Sequence, residues 1–246
     1  MLGKLACLAL AMVLVAGVAA VDAADADGKI KVLVVTGGHG FNQKPFFKVY
    51  EDNKDIVFTK AAHTKKSATV YDRDDLLAYD VVVIYDMMQG ITDAQKAKFL
   101  ALIKKGTGVL VMHHALASFQ DWPEYERIIG GKFLLRPETK DGVTTPKSGW
   151  GHEPVPVHVV SKEHPITAGL DDCTFNDEYY NKCRVSDQVT LLLTTDFEKN
   201  QRQVMWCREE GKARVVYLMS GHDQKVYNDP TYRKLVANAI RWVARK

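Results

Sequence analysis

The chain has 246 residues, of which 46% are hydrophobic and 26% are charged, and this composition is typical of a globular protein. Its 33 basic and 30 acidic side chains leave a formal charge of +3, which favours neither nucleic acid nor an anionic membrane surface as a partner. The length alone allows one α/β domain or two smaller domains.

Residues 1–24 have the pattern of a secretory signal peptide. Lys4 gives a basic start, residues 5–20 are apolar, and small residues follow before a cleavage site. A membrane anchor is the alternative, but the apolar run is short for a bilayer span. We therefore expect an exported protein, periplasmic or secreted, with no membrane attachment after cleavage.

Apolar runs rich in valine and isoleucine alternate with helical patterns in the first half of the mature chain. They predict four strands, at residues 29–35, 56–58, 79–85 and 108–112. A helix is predicted near 45–53, and another begins with a capping box of Thr92 and Gln95 and ends at Gly106. This alternation predicts a doubly wound, mostly parallel sheet with helices on both faces.

The second half predicts antiparallel additions and then a return to the sheet. Its strands are predicted at residues 155–160, 189–193, 204–206 and 214–219. A last helix runs from Asp229 and Pro230 to Trp242. Without repeats or a linker, residues 25–246 are interpreted as one domain.

The predicted mature chain keeps three cysteines, Cys173, Cys183 and Cys207. In an oxidising compartment Cys173 and Cys183 are candidates for a disulfide, and three buried thiols are the alternative. No C-x-x-C motif and no Cys/His cluster at zinc-ligand spacing is present, so we expect no cysteine chemistry.

Polar clusters follow four of the predicted strands. They lie at residues 36–41, 85–86, 113–115 and 220–223, and three of them contain histidine. Ligands of open α/β sheets bind beyond the carboxyl ends of the strands. A single histidine there is better explained by a capped turn or a core imidazole, but four clusters together favour a site.

Two further stretches combine aromatic and acidic residues. Residues 148–154 read as a glycine-rich loop with Trp150, His152 and Glu153, and residues 176–180 place two acids before two tyrosines. Aromatic faces beside paired donors and acceptors suit a sugar ring. Surface loops with buried aromatic side chains are the alternative.

These motifs carry a resemblance to the ThuA-like (trehalose utilisation) family. The matching segments are residues 37–41, 113–131, 164–170, 177–180 and 211–223. The resemblance implies a fold like that of class I glutamine amidotransferases, which is flavodoxin-like. Those enzymes carry a cysteine nucleophile after a central strand, where this chain has Met112, His113 and His114. We therefore expect no glutamine amidotransferase activity.

The same resemblance and the residue types together give a set of candidate site residues. Two histidines and a carboxylate from three segments are the candidate ligands of a divalent metal, zinc or a similar ion: His113, Glu178 and His222. The candidate bases are His114 and His152. The candidate substrate-binding residues are His39, Asp121, Trp122, Trp150, Tyr180 and Asp223. A metal-free site would use the same residues for hydrogen bonding and proton transfer.

The resemblance implies a role in sugar catabolism, with a 3-keto sugar or keto-glycoside as substrate. Metal-assisted proton abstraction beside the ketone would lead to isomerisation or elimination. A metal-dependent glycoside hydrolase and a non-catalytic carbohydrate-binding module are the alternatives. No G-x-G-x-x-G follows the first strand, so we expect no nucleotide cofactor. The expected partner is a small carbohydrate, and a homo-oligomer remains open.

Overall fold

The computed structural model describes residues 28–140 and 142–246, so the predicted signal peptide lies outside the described residues. The strands are β1 (Ile30–Gly37), β2 (Ile56–Ala62), β3 (Val81–Asp86), β4 (Gly108–Met112), β5 (Gly131–Lys132), β6 (Glu138–Lys140), β7 (Val143–Thr145), β8 (Gly149–Val159), β9 (Cys173–Asn181), β10 (Arg184–Val185), β11 (Thr190–Thr194), β12 (Gln203–Glu210) and β13 (Ala213–Leu218). The α-helices are α1 (Gln43–Glu51), α2 (Asp93–Lys105), α3 (Pro123–Ile129), α4 (Gln224–Tyr227) and α5 (Pro230–Val243).

One nine-stranded sheet organises the molecule, in the order β2-β1-β3-β4-β13-β12-β11-β8-β9. The five strands from β2 to β13 pair in parallel, and the rest pair antiparallel. β3 and β4 are buried along their whole length, as their valine-rich sequences require. The prediction of a doubly wound α/β fold with antiparallel additions is confirmed.

The helices pack in two groups that cover the parallel strands. α1 contacts α4, which contacts α5, while α2 and α3 meet through the rings of Phe99 and Tyr125. The chain moves from β1 to β2 in one direction and from β3 to β4 in the other, so right-handed crossovers put α1 and α2 on opposite faces. The predicted capping box of Thr92 and Gln95 is present, and Gly106 ends α2 in the left-handed conformation.

The antiparallel part differs from the sequence interpretation at two places. Residues 148–154 are expected as a glycine-rich loop and residues 176–180 are not assigned to a strand, but most of the first stretch and all of the second belong to the paired strands β8 and β9. Period-two alternation was hard to recognise because the face toward the site carries Trp150, His152 and Glu178, which are polar or exposed. This hairpin brings polar side chains to the sheet by register.

The candidate disulfide between Cys173 and Cys183 is not formed, and all three described cysteines are free. Cys173 is the first residue of the nine-residue strand β9 and Cys183 lies two residues beyond its end, and the two ends of the strand are roughly 25 Å apart at the usual rise per residue. Cα atoms of a disulfide must approach within about 7 Å. Burial raises the pKa of the Cys183 thiol to about 12 and that of Cys207 to about 11.

None of the helices in the described part of the chain has the length and apolar character needed to span a membrane.

Candidate active site

Loops from four parallel strands and the β8–β9 hairpin enclose one cavity at the carboxyl end of the parallel strands. His39 follows β1, Met87 follows β3, His114 follows β4 and His222 follows β13. The cavity has a volume of about 290 Å³ and is lined by His39, Met87, His114, Ala117, Phe133, Leu135, Trp150, His152, Glu178, Tyr180 and His222. The rule that ligands bind beyond the carboxyl ends of parallel strands thus gives the location of the cavity.

Glycine is required in the loop that carries His39. Gly38 has φ +78°, and a Cβ there would lie 2.6 Å from the carbonyl oxygen of Met87. A side chain would therefore push the loop after β1 away from the loop after β3. The close approach of these two loops keeps the exposed His39 at the cavity.

The register of the β8–β9 hairpin determines which of its side chains face the cavity. Trp150 pairs with Tyr180 and His152 pairs with Glu178 across β8 and β9. Residues directly opposite each other in an antiparallel pair share one face of the sheet. These four side chains therefore line the same wall of the cavity.

His113 occupies the turn after β4 in a strained conformation, with φ +50° and no solvent exposure. Its Nδ1 lies 2.7 Å from the carbonyl oxygen of Met219, to which it must donate a hydrogen bond. The neutral ring then carries its lone pair on Nε2. This atom lies 3.0 Å from Nδ1 of His222, 3.0 Å from the hydroxyl of Tyr180 and 3.4 Å from Oε1 of Glu178.

The carboxylate of Glu178 is shared among three imidazoles. Its oxygens lie 3.4 Å from His113, 3.2 Å from Nε2 of His152 and 3.5 Å from Nδ1 of His222. Burial acts to raise the pKa of Glu178, but the contact with His113 and the other nearby imidazoles outweigh it and hold the pKa below its ordinary value. Glu178 is therefore an anion at neutral pH.

One nitrogen from each of His113 and His222 and one oxygen of Glu178 lie within 4.8 Å of one another. Two imidazoles and a carboxylate with room for further ligands form a donor set that suits zinc or a similar ion. The hydrogen bond from His113 to a backbone carbonyl is also the usual orienting contact of a histidine that binds metal. These residues fit a divalent cation.

His114 is buried beside the metal-ligand candidates. Its ring centroid lies 4.5 Å from that of His39, and its Nδ1 is covered and has no hydrogen-bond partner among the described residues. Burial and the neighbouring imidazoles hold the pKa of His114 well below its ordinary value. His114 is therefore neutral at physiological pH, and its Nδ1 is not reachable in this conformation.

Asp177 is not among the candidate site residues from the sequence, but it links the β8–β9 hairpin to the loop after β13. This buried carboxylate accepts hydrogen bonds from the backbone N–H groups of Gly221 and His222. Burial raises its pKa, although the hydrogen bonds and His113 oppose the change. Its position beside Glu178 in the 176–180 stretch was the available signal, but the contact with residues 221–222 required the fold.

Three candidate substrate-binding residues lie away from the cavity lining. The indole of Trp122 is buried against Phe99 and Tyr125, so it offers no face to a ligand. Asp121 is exposed and pairs with Arg136, and Asp223 caps α4 by accepting from the N–H of Lys225. The expected roles of Asp121, Trp122 and Asp223 in substrate binding therefore have no support from their positions.

The carboxylate of Asp86, the last residue of β3, also lies outside the cavity lining. Asp86 is buried and contacts Nε2 of His63 at 3.0 Å and the hydroxyl of Ser118 at 2.5 Å. Nδ1 of His63 accepts a hydrogen bond from the N–H of Val70. His63 thus links the segment of Val70 to Asp86 and, through Asp86, to Ser118.

The fold and the cavity define a protein of the flavodoxin-like α/β class with an imidazole and carboxylate site where an amidotransferase would carry its cysteine. A family model described as ThuA, trehalose utilisation, matches residues 31–243, and the chain belongs to this family. The family implies a sugar-related role.

Solved structures agree on the fold. A ThuA-like protein from Parabacteroides merdae has 20% identity and a TM-score of 0.72, with 88% of this chain and 90% of that chain covered. A ThuA-like protein from Bacteroides uniformis has 21% identity and a TM-score of 0.65, with coverage of 89% and 93%. PurLQS from Thermotoga maritima has 12% identity and a TM-score of 0.55, with coverage of 87% and 99%. No curated protein matches the chain.

Proposed function

We propose that the protein is an enzyme that acts on a 3-keto sugar or keto-glycoside by metal-assisted proton abstraction. The observation that carries this proposal is the convergence of His113, Glu178 and His222 in a cavity beyond the parallel strands. A surface that only binds sugar has no need of a buried imidazole cluster. We further propose that the protein works after export, in the periplasm or outside the cell.

The cavity suits a neutral polar ligand. None of its lining residues is a lysine or arginine, and the exposed indole of Trp150 stands at its edge. Its volume of about 290 Å³ lies at the lower end of the usual range for ligand pockets, which is about 300–1,000 Å³. These features support a single sugar ring inside the cavity, with Trp150 available to stack against it.

His113, Glu178 and His222 would hold the metal, which supplies a Lewis acid for a carbonyl oxygen. His152 is the better placed of the two candidate bases, because its side chain is 45% exposed whereas Nδ1 of His114 is covered. Glu178 orients the imidazole of His152 through the 3.2 Å contact with Nε2. Nδ1 of His152 is then the atom that takes a proton from the substrate.

The proton removed is the one on the carbon beside the ketone. The electron pair of that C–H bond forms a new C=C bond, and the carbonyl electrons move to oxygen. For isomerisation, His152 returns the proton to the former carbonyl carbon, while the hydroxyl proton on the adjacent carbon passes to the enolate oxygen and a ketone forms at that adjacent carbon. For elimination, the carbonyl re-forms, the C=C bond shifts one carbon along the ring, and the substituent on that carbon departs with its bonding electrons. His114 is neutral and buried, and its ring packs against that of His39 in the cavity lining.

Elemental analysis tests the metal first. Mature protein purified without chelator should contain a stoichiometric divalent metal, and His113→Ala and His222→Ala should each lose it. His158→Ala is the matched control, because His158 is exposed and pairs with Asp172 away from the cavity. A wild-type protein without metal, even after addition of zinc, manganese or nickel, would contradict the proposal.

Reaction in deuterated water then tests the chemistry. Isomerisation in which the proton on His152 exchanges with solvent should place deuterium on a product carbon, and elimination should instead leave a C=C bond in the sugar product. Hydrolysis by an activated water would release the sugar without carbon-bound deuterium. Turnover that persists unchanged in His113→Ala would remove the site from consideration.

A further inference from the structure

The ring of Tyr180 is not available as a stacking surface for sugar, although the sequence suggested that role. It stacks on His113 with the centroids 4.9 Å apart and the planes 21° apart. Phe133 packs against it edge-on at 4.8 Å, and Tyr180 is only 3% exposed. What Tyr180 offers to the cavity is therefore its hydroxyl group.

That hydroxyl is a hydrogen-bond donor. It lies 3.0 Å from Nε2 of His113, and in the neutral ring that binds a metal this nitrogen carries the lone pair because Nδ1 donates to Met219. Toward that lone pair the phenol is the donor. A cation or ligand that binds to this lone pair takes away the hydrogen-bond acceptor of Tyr180. The O–H group of Tyr180 then lies beside the bound cation or ligand.

We propose that the Tyr180 hydroxyl is a catalytic hydrogen-bond donor to the substrate oxygen that gains negative charge when the neighbouring proton is removed. This inference rests on the proposed function, and it gives Tyr180 a role that requires its hydroxyl. The phenol keeps its proton throughout, so no proton transfer is involved. A donor that is already in position when the charge develops stabilises that charge strongly.

Three other buried tyrosines near the site donate their hydroxyl hydrogens to backbone carbonyl groups. Those of Tyr85 and Tyr227 bond the carbonyl oxygen of Gly221, and that of Tyr217 bonds the carbonyl oxygen of His113. Tyr180 differs because its partner is the side-chain atom at which a ligand would bind.

Tyr180→Phe removes the hydroxyl and keeps the ring that packs on His113. Tyr179→Phe is the matched control. Tyr179 directly precedes Tyr180 in β9, points to the other face of the sheet and packs on Phe197. We expect Tyr180→Phe to bind zinc as tightly as wild type, or about two- to tenfold more tightly, since a competing hydrogen bond is lost. Turnover of a keto sugar should fall about 100- to 1,000-fold, the usual effect of losing such a donor.

A binding measurement makes the test independent of turnover. Methyl glucoside, a neutral sugar without a ketone, is titrated into both variants and wild type by calorimetry. Tyr180→Phe should bind it about two- to tenfold more weakly, while Tyr179→Phe should match wild type.

Three results separate this inference from the proposed function. Tyr180→Phe that equals wild type in methyl glucoside binding and in turnover would overturn the role of Tyr180. Loss of zinc from Tyr180→Phe would also overturn it, because the residue would then act as a support for His113. Absence of metal from wild type contradicts the proposed function, and methyl glucoside binding then still decides whether the hydroxyl contacts ligand.

Discussion

The parallel and antiparallel parts of the sheet contribute to the site in different ways. The parallel strands deliver His39, His113 and His222 on the loops that follow their carboxyl ends. The β8–β9 hairpin delivers His152 and Glu178 from within paired strands, at positions set by register. A site on loops can be located from topology, whereas a site on a hairpin depends on which residues face each other.

This difference explains which parts of the site the sequence predicts. The valine-rich strands and the histidines that follow them predict the sheet and the place of His113 and His222, because topology alone brings strand ends together. The resemblance of residues 177–180 to a family motif added Glu178. The convergence of these three side chains agrees with the set chosen from sequence, while their binding of metal stays a prediction.

Other contacts depend on long-range packing and could not be predicted. The bond from Asp177 to the loop after β13 joins residues 44 positions apart, and neither segment carries a local signal for it. Trp122 resembled a binding aromatic, but α3 packs it into the core beside Phe99. Burial of an aromatic residue outside a regular pattern is a property of the fold.

Asp177 on β9 accepts hydrogen bonds from Gly221 and His222 in the loop after β13, so it links the antiparallel part of the sheet to the parallel part. Loss of this contact should have a larger effect than a change at Trp150 or Asp121. In Asp177→Asn the amide keeps one acceptor oxygen and loses the charge, so His222 is held less well. We expect zinc affinity to fall about 10- to 100-fold, as for other residues that orient metal ligands. A chelator competition assay measures this affinity.

Asp172→Asn is the control for that change, because Asp172 is exposed and pairs with His158 outside the cavity. Its zinc affinity should equal that of wild type. If Asp177→Asn binds zinc as tightly as wild type, the contact of Asp177 with Gly221 and His222 is not needed to position the metal ligands.

A change at Trp150 probes the contribution of the β8–β9 hairpin to sugar binding. Its indole is 64% exposed at the edge of the cavity, and β8 presents it on the same face as His152. Trp150→Ala should weaken methyl glucoside binding about two- to tenfold, the scale of one aromatic contact, and leave zinc binding unchanged. Val143→Ala serves as the control, since Val143 is 69% exposed on β7 and does not line the cavity. Equal binding by Trp150→Ala and wild type in calorimetry would show that the sugar does not use the indole.

Asp121 gives the smallest expected effect and marks the boundary of the site. Its carboxylate is exposed, pairs with Arg136 and lies outside the cavity lining, although the family resemblance made it a candidate substrate-binding residue. An exposed ion pair contributes about 0–1 kcal/mol to stability, so Asp121→Asn should fold normally. Because the carboxylate does not reach the cavity, zinc affinity and methyl glucoside binding should both stay within about twofold of wild type, a tolerance below the roughly 1 kcal/mol of one hydrogen bond. A larger loss of sugar binding with zinc retained would mean that the ligand extends past Leu135 toward Arg136, and the proposed single-ring cavity would then be too small a description of the binding site.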